Sequence, residues 1–153
     1  MSKNQFGIDK IIVALGNMRD EIPMKLANQA QNFFIDNFRR QGFLDGSTKP
    51  WAEVKRRIPG TNAYKYPLKK DLGRHERAIL QGKGSGQLRK GVNNSIKKAT
   101  FSLVKLVVDV PYASYLNEGT SKMPARKFMG DSITLKENQV KLIKQYIDNA
   151  FKK

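Results

Sequence analysis

The chain has 153 residues, 39% apolar and 27% charged, which suits one folded domain with a real core and a wet surface. It has no cysteine, which excludes disulfides, thiol catalysis and cysteine-ligated zinc and fits assembly in a reducing cytosol. Its net charge of +16 is uneven: 6 basic against 5 acidic side chains over residues 1–48, 14 against 3 over 49–98, and 9 against 5 over 99–153.

The N-terminal third reads as helix. Ile8, Ile11, Ile12, Leu15, Met18, Ile22, Leu26, Ala30, Phe33, Phe34 and Phe38 recur at steps of three and four. Gly16 and Pro23 interrupt the pattern, so the spacing predicts a kinked long helix or two helices meeting near residues 20–23. "RRQG" then places two cations in the last turn and a glycine beyond it, a helix stop. Acids follow the first apolar cluster closely, unlike a signal peptide, and no apolar run nears the roughly 18 residues of a membrane span.

Residues 42–85 are dense in Gly, Pro, Asn and Ser and read as a long, irregular basic loop region, with a short helix near Lys70 to Gln81. Lys55, Arg56, Arg57, Lys69 and Lys70 are its candidate polyanion contacts. The alternative is a solvated basic loop. Trp51, Tyr64 and Tyr66 lie among these cations and would suit stacking on single-stranded nucleic acid, although Trp51 reads better as a core anchor under the loop. Asp45 with Glu53-Val54-Lys55 is the one catalytic pattern: two carboxylates for Mg²⁺ and a lysine assisting water, as in metal-dependent nucleases. His75 is the only histidine and reads as a surface or packing residue, since a lone imidazole without cysteine cannot anchor a zinc-type metal site. "GKGSGQLRKG" offers glycines at a possible helix start but lacks the GK[ST] ending of a phosphate-binding loop.

"NNSIKKATFSLVKLVVDV" reads as two strands joined near Ala99–Ser102, with Val104, Leu106, Val108 and Val110 on one face. Tyr112, Tyr115 and Leu116 then share one face of a short helix that Gly119 stops in the left-handed conformation. Arg126 and Phe128 follow on a loop. Tyr, Arg and Phe gathered this way have the composition of an interface hot spot, or of an intramolecular corner. On the interface reading Arg126 meets a neighbouring carboxylate, and Arg126→Glu leaves the subunit folded. A last helix, about Leu135 to Phe151, opens on Thr134 and Glu137 in capping-box spacing. Helix, loop, strands and helix in that order predict a single α+β domain, with helices on one face of a small antiparallel sheet.

Taken in order, these segments resemble a known family. Phe38, Asp45-Gly46, Pro50-Trp51, "SGQLRKG" at Ser85 to Gly91, Tyr112-Ala113, Gly119-Thr120 and "MPARKFMG" from Met123 to Gly130 are similar to the motif series of phage virion-morphogenesis and tail-completion proteins. Lys127 stands where that series usually has proline. The resemblance implies a small α+β structural protein of the virion neck or tail end, with no catalytic residue, metal or cofactor. It implies self-association into a ring, often hexameric, and neck, head-completion and tail-tube proteins as partners, with DNA in the channel as a further contact and no membrane. Tyr112, Tyr115, Arg126 and Phe128 are the expected subunit-interface residues.

Overall fold

A computed structural model describes residues 8–66, 71, 73–81 and 86–152. It begins with α1, Ile8–Arg40, one 33-residue helix that runs on through Pro23. The apolar period continues along its whole length, yet full burial starts only at Ile22. From there Ala27, Ala30, Phe33, Phe34 and Phe38 are buried, while Ile12 and Val13 are each 61% exposed. Helix periodicity reports a shared face, not whether anything covers it. The α1 stop also differs from the expected glycine cap. Gln41 takes the left-handed conformation (φ 50°), and Gly42 opens the next strand, where a Cβ would sit 2.6 Å from the Lys49 carbonyl oxygen.

Residues 42–50, expected to be irregular, form an antiparallel hairpin of β1 (Gly42–Asp45) and β2 (Ser47–Pro50), with Phe43 opposite Lys49. Beyond it, Trp51 is buried, as a core anchor should be. A 3₁₀ turn at Lys55–Arg57 and the single-turn α2, Asn62–Lys65, follow. Where a helix was expected near Lys70 to Gln81, residues 73–81 run as turns. Short α3, Gln87–Asn93, leads into a second antiparallel hairpin, β3 (Ile96–Thr100) and β4 (Leu103–Val107), joined where the sequence predicts. Among the described residues the sheets are therefore two, separate and each two-stranded.

Helix α4, Ala113–Glu118, and helix α5, Ile133–Phe151, complete the chain. The N-cap of α5 is Ser132, whose Oγ accepts from the Leu135 N–H at 3.2 Å, so the expected capping box at Thr134 is not used. Helix α5 packs on α1 and on β1, and Lys25 of α1 donates to the Tyr146 hydroxyl. This is the α+β arrangement read from the sequence, with the C-terminal helix against the first sheet. At its centre Phe38 meets Trp51 and Phe128, each at 5.5 Å between ring centroids. Leu88 and Val92 of α3, Ala113 and Leu135 close the same core. The Phe38–Trp51 pair is edge-to-face, an arrangement that adds about 0.5–1.5 kcal/mol beyond its buried area.

Candidate assembly surface

The segment from Pro111 to Ser132 is built outward from this core. Ala113, small and buried, lets α4 seat closely, with its N–H bonded to the Val110 carbonyl at 2.9 Å. Tyr112 and Tyr115 stay 40% and 60% exposed, and Leu116 packs on the core. Gly119 ends α4 with φ 80° and ψ −179°, a glycine-only conformation but not the left-handed helical one expected. A Cβ there would lie 2.6 Å from the Ala125 nitrogen, because the chain doubles back through a Thr120–Met123 bridge.

The return strand is irregular, and side chains take the place of a sheet partner. The Arg126 N–H donates to the Leu116 carbonyl at 2.8 Å, and Trp51 Nε1 donates to the Lys127 carbonyl at 2.7 Å. Asn117 Oδ1 accepts from both the Phe128 and Met129 N–H groups at 2.9 and 3.1 Å. Asn37, fully buried, donates to the Phe128 carbonyl at 3.2 Å and accepts from the Leu44 N–H. Buried backbone that lacks a ladder needs such partners, since each unmet group costs about 1–3 kcal/mol. Sequence reasoning missed both asparagines, although Asn37 stands out as the polar residue in the apolar stripe between Phe34 and Phe38.

The structure thus divides the four interface candidates. Tyr112 and Tyr115 face outward. Arg126 is 6% and Phe128 2% exposed, and both are committed to their own chain. Arg126 Nε donates to the Ala52 carbonyl at 2.8 Å and Nη2 to the Glu53 carbonyl at 3.1 Å, so the guanidinium clamps the loop after Trp51. Burial holds its pKa below the ordinary arginine value, with Glu53 pulling the other way. The expectation that Arg126→Glu leaves the fold intact is corrected: a carboxylate there would face two carbonyl oxygens.

The basic candidates separate in the same way. Arg56 donates through Nε to the Arg74 carbonyl and through Nη2 to the carbonyls of Arg77 and Ala78, at 2.8–3.1 Å, a second guanidinium clamp. Desolvation, then the charges of Arg77, Arg57 and Arg74, lower its pKa. Arg57 lies 3.4 Å from Glu53, and Lys55 is exposed. Lys69 and Lys70 lie outside the described residues. His75 is half-buried, with Nδ1 bonded to the Arg56 carbonyl and its ring 4.4 Å from that of Tyr64, so it packs the same loop.

The two carboxylates of the nuclease pattern have separate tasks. Asp45 accepts from the Ile133 N–H at 2.9 Å and from Lys49 at 3.1 Å, which hold its pKa below the ordinary carboxylate value. Glu53 accepts from the Val54 N–H and faces Arg57. Among the described residues no three His, Cys, Asp or Glu side chains gather as a metal ion would require. No helix among them is long and apolar enough to cross a membrane.

No family model, curated protein or solved structure matches this chain.

Proposed function

We propose that this chain is a structural subunit of a tailed-phage virion, placed at the neck or tail end, which completes the tail and helps join it to the head. Copies repeat around the tail axis as a ring, with a hexamer the expected number, and meet neck, head-completion and tail-tube proteins. The observation that carries this reading is the pairing of a loop pinned from both sides with two outward tyrosines on the helix beside it. A rigid shoulder bearing exposed aromatic side chains is what a repeated protein contact needs, because little order is lost when it docks. The test is Tyr112→Ala with Tyr115→Ala. Both side chains are exposed, so the double variant should fold as the parent does. It should enter particles at least tenfold less efficiently, and equal incorporation would refute the assignment.

The charge of +16 supports a second reading, a DNA-binding or Mg²⁺-dependent DNA-processing protein using Asp45, Glu53 and Lys55. Within the first reading, Lys55 and its exposed neighbours face DNA in the channel or acidic protein. Metal-dependent cleavage of DNA that disappears in Glu53→Ala would select the second.

A further inference from the structure

The second hairpin shows a solvent face of unusual make-up. In β3 and β4 the exposed pairs are Ile96 with Val107, Lys98 with Lys105, and Thr100 with Leu103. Ile96 is 62% and Leu103 48% exposed. Two lysines directly opposite on one face repel, and the exposed Ile96, Val107 and Leu103 beside them gain nothing from water. An anionic, partly apolar surface laid on this face would relieve both.

Such a surface is present in the same chain. In the first half of α1, Ile11, Ala14 and Met18 line a cleft shared with α5. Helical geometry then turns Asp9, Ile12, Val13 and Asp20 to the opposite side, and all four are exposed, while the exposed Arg19 between them in sequence is drawn over the Phe101 ring of its own β3–β4 turn, 6.0 Å from the centroid. Asp9 and Asp20 are eleven residues apart, about three turns, and so lie on one line along the helix. Gly16 lies between them, where an added Cβ would meet nothing, so the helix can be approached closely.

We infer that the outward face of residues 9–20 in one copy docks on the β3–β4 solvent face of the next. Pairing either face with itself would set Lys98 and Lys105 against lysines, or Asp9 and Asp20 against aspartates, whereas each finds a complement in the other. A contact between two different faces is head-to-tail, and it closes into a ring or propagates as a filament. The inference rests on the self-assembly reading above and names the two surfaces that reading leaves open.

The test uses full-length protein and two double variants, Asp9→Lys/Asp20→Lys and Lys98→Glu/Lys105→Glu, followed by sedimentation velocity at rising concentration. Parent protein should form an oligomer, and each variant alone should need at least tenfold more protein to do so. An equimolar mixture should recover parent assembly, because every interface then joins opposite charges. Circular dichroism checks that both variants fold; an unfolded variant is replaced by Asp9→Asn/Asp20→Asn or Lys98→Gln/Lys105→Gln, each expected to weaken assembly. Oligomers indifferent to both variants, or no recovery on mixing the folded reversals, would overturn the inference and leave self-assembly standing. Parent protein that remains monomeric at the highest concentration would overturn both.

Discussion

Arg126 and Arg56 each bring a guanidinium into the fold and aim it at main-chain carbonyls rather than at an acid. The planar fork reaches several carbonyl oxygens at once, which a lysine cannot imitate. Arg126→Ala would leave the Ala52 and Glu53 carbonyls without this partner. With hydrogen bonds to charged groups contributing roughly 1.5–3 kcal/mol each, we expect destabilisation by about 3 kcal/mol, read from urea unfolding midpoints. Arg126→Lys should recover less than half of that loss. A change below about 0.5 kcal/mol in Arg126→Ala would show that the clamp does not hold the loop. The sequence pointed to Arg126 through its loop, and the structure turns the side chain into its own chain. Its partners stand 73 and 74 residues earlier, a separation that no local pattern encodes. Tyr112 and Tyr115 were readable because their spacing on a short helix is local.

Among the elements, α1 and the β3–β4 hairpin followed from periodicity, and so did α4. The β1–β2 hairpin did not. Ser47, Thr48, Lys49 and Pro50 are all exposed and carry no alternation of apolar side chains to read. The hairpin is instead held by the start of α5: Asp45 receives the Ile133 N–H, Ser132 Oγ donates to the Leu44 carbonyl, and the Gly46 N–H donates to Thr134 Oγ1 at 2.9 Å. Asp45 also completes a helix N-terminus, where a carboxylate is favoured by the unmet N–H groups and the helix dipole. Its lowered pKa gives this joint a pH signature. A carboxyl whose folded pKa is depressed stabilises the fold above its unfolded value, near 3.8, and that contribution is lost as pH falls through the folded value. Asp45→Asn should therefore be less stable than the parent at pH 7, and the gap should close below about pH 4. Thermal melting across pH 2–7 measures this; a gap that stays constant would remove the carboxylate from the joint.

Across the whole molecule, the core occupies one end of α1, and the other end carries apolar side chains into solvent. The alternating charge and apolar pattern of the β3–β4 face adds a second open surface. Sequence alone could not show this, because the period of α1 is the same where it is buried and where it is bare. What separates the two halves is the reach of Trp51, Phe128 and α3, each brought to α1 by tertiary packing. A basic chain with two dissimilar open faces and its arginine clamps turned inward supports the proposal that it works in contact with other molecules. Native mass spectrometry of the purified chain, alone and with isolated tail tubes, tests that claim most directly. The expected result is a closed oligomer of one copy number, six on the proposed reading, that associates with the tubes. A monomer under both conditions would contradict it.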